Sequence, residues 1–405
     1  MTDTAKDSDA NSCYNDSTLA VHTSISPSGN REHSTALYLN SGFRFDDSEH
    51  ARAVFANEVP GHKYGRYHNP NTDEFIAKVC ALEQLPAGVA MASGMGAIFT
   101  VFMALLSKGD HIIASRAVFG STFHLLQHQL PRWGIDVTLI DGKDNRAWQT
   151  AMQKNTRMCY LETPSNPGLE LVDLEFVGTL CHKQQGHKQQ IILMVDNIFA
   201  TPLLQKPARY GADLVMHSAT KFLDGQGRCL GGVVAGKTTW IEQIRQFNRH
   251  AGCTLSAFNA WVFSKGIETL AIRMDKHCSN ALRLAEFLQQ HPQVQQVRYP
   301  YLSTHPQYTL ARRQMSAGGA LVTFMLRDLH QARTCMDRLQ ILTLSANLGD
   351  TRTIVTHPAS TTHSSLTQEQ RLAAGVTDGL IRISVGLEDV EDIIHDLDQA
   401  LSPLP

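Results

Sequence analysis

The chain has 405 residues, enough at roughly 150 per domain for two or three domains with a sizeable core. Its 36 basic and 38 acidic side chains leave a net charge of −2, so no electrostatic attraction to nucleic acid or an anionic membrane is expected. Hydrophobic residues at 42% and charged residues at 18% exclude the disordered, collagen-like and coiled-coil classes.

The first 35 or so residues are polar, expected to be mobile at their start, and lack the apolar core of a signal peptide. From there to about 75 the chain is rich in Gly, Pro, His and Tyr and reads as an extended arm. Short apolar runs follow at 88–92, 111–115, 137–140, 158–161, 191–195, 214–216 and 231–235. Helical patterns such as 95–106 and 121–130 separate several of them. The alternation predicts an α/β domain with a mostly parallel seven-stranded sheet covered on both faces. Beyond it, 260–288 reads as one long helix, with strands at 320–325 and 380–385 and a last helix over 390–401. The expected division is an arm over 1–75, a large domain over 76–264 and a smaller α+β domain over 265–405. No stretch approaches the ~18 apolar residues of a membrane span, and a cytoplasmic protein is expected. The eight cysteines show no CxxC spacing and read as buried free thiols, not as disulfides or a zinc site.

Several motifs compete to explain the chemistry. Gly231 to Thr238 match GxxxxGK[ST], the nucleotide-binding P-loop, which keeps a P-loop NTPase as a remote alternative. The residues between its glycines, however, read as a strand and not as a flexible turn. His124 and His128 are spaced for a metal on one helix face, but no third ligand is evident and no metal is expected. The stronger constellation lies at strand ends. Asp196 closes one apolar run, and Ser218, Thr220 and Lys221 follow another, where open α/β sheets bind ligands. A lysine buried there is costly as a cation and suited to bond an aldehyde. Ser93-Gly94-Met95-Gly96 would open a helix, whose N–H groups form an anion site. A reactive lysine, an acid for a ring nitrogen and a phosphate cup are the parts that pyridoxal 5'-phosphate (PLP) requires.

The sequence closely resembles the Cys/Met-metabolism PLP enzymes, which include cystathionine γ-synthase, the cystathionine lyases, methionine γ-lyase and the homoserine sulfhydrylases. The resemblance rests on Tyr64-Gly65-Arg66-Tyr67, Ser93-Gly94-Met95, Glu162 to Pro167, Val195-Asp196-Asn197, Ser218 to Lys221 and Arg382 to Gly386. It implies the PLP-dependent transferase fold, aspartate aminotransferase-like, of fold type I. Lys221 would then hold the cofactor covalently and act catalytically, and Asp196 would face its pyridine nitrogen. Gly94, Met95, Ser218 and Thr220 would bind its phosphate, and Asn166 its phenolic oxygen. Arg382, with Ser345, would clamp the substrate α-carboxylate. Tyr64 and Arg66 would reach a neighbouring subunit's site, implying a homo-oligomer that is a dimer of dimers.

Two departures narrow the choice. Phe119 stands where most members have tyrosine; it can stack on the cofactor but lacks the hydroxyl. Asp224 to Arg228 also depart from the common pattern after the lysine. With residues 346–350 and 356–360 they look most like the O-succinylhomoserine sulfhydrylase branch. The implied reaction is γ-replacement, O-succinylhomoserine plus sulfide giving homocysteine plus succinate, with cystathionine γ-synthase and methionine γ-lyase activities as alternatives.

Overall fold

The computed structural model describes residues 14–183, 190–364 and 367–402. The first thirteen residues of the expected tail, Cys13 among them, lie outside that set. All seven apolar runs form strands: β1 (Ala87–Met91), β2 (His111–Ser115), β3 (Asp136–Ile140), β4 (Thr156–Glu162), β5 (Ile192–Asp196), β6 (Leu214–Ser218) and β7 (Gly232–Gly236). They make one sheet in the order β1-β7-β6-β5-β4-β2-β3. Strands β2 to β6 run parallel, whereas β7 is antiparallel to both β1 and β6.

Side chains alternate across this sheet, as strand geometry requires. Met158, Tyr160, Ile192, Met194, Leu214 and Met216 pack into one core, and Cys159, Leu161, Leu193, Val195 and Val215 into another on the opposite face. Burial on both faces is why these strands read as unbroken apolar runs, each large side chain contributing about 1.5–3 kcal/mol. The P-loop match is explained here and falls away. Its glycine-rich stretch is β7 itself, paired on both sides and buried, and Gly232 approaches the Ser93 carbonyl too closely for any side chain.

A second sheet contains β8 (Gln296–Arg298), β9 (Leu321–Met325), β10 (Thr343–Leu344), β11 (Ile354–Thr356) and β12 (Leu380–Ser384), in the order β10-β11-β12-β9-β8. The helix Val390–Leu401 packs its Ile393, Leu397 and Leu401 into the core over this sheet. Strands β8, β10 and β11 span only two or three residues, too few to carry a sequence period.

Two other expectations are corrected. The long helix over 260–288 is two helices, Ala257–Glu268 and Leu270–Gln290. Arg273 spans the break: its guanidinium donates to the Gly266 carbonyl of the first helix (2.7 Å) and to the Phe222 carbonyl in a neighbouring turn (2.8 Å). The helix expected over 121–130 is α-helical only over Gly120–His124, widens into a π-helical turn over Leu125–Gln129 and tightens at Pro131. The His124 and His128 rings lie 4.7 Å apart, tilted by 50°, and no group of three metal-binding side chains occurs among the described residues. Within the polar N-terminal segment, one helix is docked on the rest of the fold. The helix Asp16–His22 buries Leu19 and Ala20, the buried Lys78 donates to the Ala20 carbonyl (2.8 Å), and Lys206 pairs with Asp16 (2.9 Å). No helix of the described residues is long and apolar enough to cross a membrane.

Candidate active site

The carboxyl ends of β4, β5 and β6 open into a cavity of about 500 Å³. Gly94, Met95, Phe119, Asn166, Asp196, Ser218, Thr220, Lys221 and Arg382 all line it. Three of the expected residues do not. Ser345 is exposed, with its hydroxyl accepting from the Asn347 amide N–H (3.3 Å). Tyr64 and Arg66 are exposed on the arm, where Tyr64 bridges Gly42 and the Arg66 guanidinium covers the Tyr67 ring at 4.8 Å and donates to the Arg249 carbonyl.

One wall is the start of the helix Gly94–Leu105. Ser93 caps it by accepting from the Gly96 N–H (3.0 Å), while the other N–H groups of the first turn have no acceptor within the helix. A side chain on Gly94 would meet the Ser218 Cβ at 2.7 Å, so glycine is what lets helix and β6 close into a cup. Thr220 is fixed at its rim because its hydroxyl accepts from the Gly231 N–H (3.1 Å).

Asp196 ends β5 and is buried. It accepts from the Ile198 N–H (3.1 Å) and the Tyr160 hydroxyl (3.4 Å). Burial pushes its carboxyl up to about 7, the environment of an acid built to face a cation. Lys221 Nζ donates to Asn347 Oδ1 at 2.6 Å, and burial, with the nearby Arg382 charge, pushes its amine down to about 8. Arg382, only 1% exposed, donates through Nη1 to Asn166 Oδ1 (3.0 Å) and through Nη2 to the Asn347 carbonyl (3.2 Å). Its Nε has no partner, and burial pushes the guanidinium down to about 10. A buried cation with donor capacity to spare is a place for a carboxylate.

Two residues, Glu162 on the cavity wall and Asn347 beside it, were not singled out from the sequence as site residues. Glu162 stands opposite Asp196 in the sheet register and accepts from the Phe119 N–H (2.9 Å), which fixes the ring expected to stack on the cofactor. Burial, reinforced by Asp196, raises its carboxyl well above the usual range. Asn347 joins Lys221 to Arg382, its amide oxygen holding one and its carbonyl the other. Glu162 opens the motif 162–167 and could have been found there; Asn347 lies in the 346–350 stretch, but nothing local marks it as the residue that meets Lys221.

A lysine amine held at low pKa, a buried acid, a glycine-walled cup and a spare guanidinium fit PLP and an α-amino acid together. The family model for the Cys/Met metabolism PLP-dependent enzymes matches residues 17–402. The chain belongs to that family. It is a PLP-dependent enzyme of Cys/Met metabolism. Over 391 residues it is 46% identical to an O-succinylhomoserine sulfhydrylase of Mycobacterium tuberculosis, with 95% of each chain covered. An L-methionine gamma-lyase of Fusobacterium nucleatum is 43% identical over 371 residues, covering 91% of this chain and 93% of its own. Among solved structures, an O-acetylhomoserine (thiol)-lyase of Campylobacter jejuni superposes with a TM-score of 0.91 at 32% identity, covering 96% of this chain and all of that one. That crystal structure carries a pyridoxyl-lysine phosphate adduct.

The lysine environment yields a test within the family chemistry. Only the neutral amine attacks an aldehyde. Covalent capture of PLP by the cofactor-free protein should therefore accelerate roughly tenfold per pH unit up to about 8 and level off above it. An ordinary lysine would keep accelerating toward about 10.4. Stopped-flow visible absorbance across pH 6–10 reads the inflection.

Proposed function

We propose that the enzyme catalyses γ-replacement on O-succinylhomoserine, with sulfide displacing succinate to give homocysteine. The observation that carries this reading is the joint placement of Lys221, Asp196 and Arg382 around one cavity, in a chain 46% identical to an O-succinylhomoserine sulfhydrylase. When bound, PLP supplies an electron sink for negative charge at the substrate Cα. Asp196 would face the ring nitrogen and keep its proton in place. Phe119 would stack on the ring, Asn166 would lie at the phenolic oxygen, and Gly94, Met95, Ser218 and Thr220 would hold the phosphate. Arg382 would bind the α-carboxylate and orient the Cα–H bond for cleavage. Lys221 Nζ, released to Asn347, takes the Cα proton and moves protons between Cα and Cβ. The Cγ–O bond then breaks with its electron pair leaving on succinate, and sulfide forms the new Cγ–S bond.

Tyr64 and Arg66 are exposed and away from this cavity, which supports their reaching a second copy's site in a homo-oligomer, a dimer of dimers. The seven described cysteines are all free, as suits a reducing cytoplasm.

The test is a visible spectrum of the purified protein, followed by O-succinylhomoserine with and without sulfide. A yellow protein that forms homocysteine only with sulfide is the expected result. Ammonia and 2-oxobutyrate with no homocysteine would move the enzyme to the γ-lyases, the reading that the 43% identical relative favours. Cystathionine formed from cysteine in preference to sulfide would make it a synthase.

A further inference from the structure

Behind the cavity lies a group of buried polar side chains that the proposed chemistry leaves unused. Glu83 ends the helix Pro70–Glu83 and is fully buried. Its Oε1 accepts from Asn197 Nδ2 (2.9 Å) and lies 2.5 Å from His217 Nε2. Asn197 Oδ1 accepts from Gln205 Nε2 (2.9 Å), which also donates to the Thr163 carbonyl (2.9 Å). Gln205 Oε1 in turn accepts from Gln314 Nε2 (3.0 Å), and that amide also donates to the Val172 carbonyl (3.1 Å).

The sequence positions of these groups give the network its meaning. Thr163 follows Glu162, Asn197 follows Asp196, and His217 precedes Ser218. Alternation across the sheet puts Glu162, Asp196 and Ser218 on the cavity face and turns their neighbours to the opposite side. Glu83, His217, Asn197 and Gln205 therefore reach no cavity atom, yet they tie together the ends of the three strands that carry the cavity's polar groups.

We infer that this network is a positioning device for the cofactor, with Glu83 as the acceptor that sets β5 and β6 in register against each other and Gln205 linking them to β4. Stability alone does not account for Glu83. Its second oxygen is buried without a partner, and a carboxylate in that condition costs free energy that an apolar residue of similar size would not. What the carboxylate contributes is a single oxygen on which donors from two strand ends converge. A shift of either end would move Asp196 relative to Ser218, Thr220 and Lys221, and the ring nitrogen, phosphate and aldehyde are held by these at once.

The test compares Glu83→Leu with Glu83→Gln in the holoenzyme. PLP release on dilution is followed by loss of visible absorbance, and the thermal midpoint is recorded alongside. Glu83→Leu should raise the PLP dissociation constant about tenfold or more at a temperature where the protein stays folded, as loss of outer-shell partners does at metal sites. Glu83→Gln keeps the accepting oxygen and should stay within about threefold of wild type. If Glu83→Leu fails to fold, Gln205→Met is expected to weaken PLP binding in the same way from the other end of the network. A folded Glu83→Leu or Gln205→Met protein that binds PLP as tightly as wild type would overturn the inference. So would equal losses in Glu83→Gln and Glu83→Leu, since charge and not the convergent acceptor would then be what counts. The readout is cofactor affinity, so the result stands apart from which ester or sulfur nucleophile the enzyme uses.

Discussion

Lys221→Ala is expected to lower turnover by at least about 10³-fold while the protein still folds and still recruits PLP. The size follows from losing both roles proposed for this side chain, the covalent tether to the cofactor and the base that moves the Cα proton, the second alone accounting for about 10²–10⁴-fold. Folding should survive because the lysine head makes one side-chain bond, to Asn347, and truncation only enlarges a cavity that already exists in the fold. PLP should still bind, since Asp196 and the cup at Gly94 and Ser218 do not depend on the amine. The visible band should move to that of free aldehyde, and borohydride should no longer fix PLP to the chain. Wild-type turnover in Lys221→Ala would remove the central assignment.

Arg382→Ala should cut kcat/KM by roughly thirty- to several-thousandfold, the equivalent of about 2–5 kcal/mol for removing one partner of a buried charge pair. The loss should fall on KM, because a carboxylate is bound in the ground state and the transition state alike, and on kcat, because the same guanidinium is proposed to orient the Cα–H bond. Arg382→Lys is not a mild change. Asn166 and Asn347 are spaced for two nitrogens of a planar fork, and an ammonium can meet only part of that demand. It should recover charge without orientation, leaving KM partly restored and kcat still low. Steady-state kinetics with O-succinylhomoserine separate the two effects, and unchanged KM in Arg382→Ala would move the substrate carboxylate elsewhere.

The residues that sequence reasoning reached share a physical cause. Parallel strands buried on both faces are short apolar runs, so an Asp at the end of 192–196 or a Lys beyond 214–218 stands out against them. Glycines at 94 and 96 are equally legible, because a strand-to-helix turn that admits an anion has few other solutions. The parts that stayed hidden are tertiary. Asn347 acts through contacts with Lys221 and Arg382, which lie 126 and 35 residues away along the chain. Glu83 sits in an ordinary helical pattern, and nothing local marks it as buried against β5 and β6. The break before Leu270 is likewise bridged by Arg273 reaching Gly266 and Phe222, contacts that no local pattern marks. Ser345 and Asn347 are two residues apart, and only the fold decides which of them faces the lysine.

The docked N-terminal helix has a consequence for how the chain is made. Asp16 and its partner Lys206 are 190 residues apart. At a synthesis rate of about 5–20 residues per second, the helix leaves the ribosome roughly 10–40 s before its anchor exists. For that interval only the helix Pro70–Glu83 is there to cover Leu19 and Ala20, and the ion pair and the surface of the helices Ala257–Glu268 and Leu270–Gln290 come later, so a segment made early completes its contacts late.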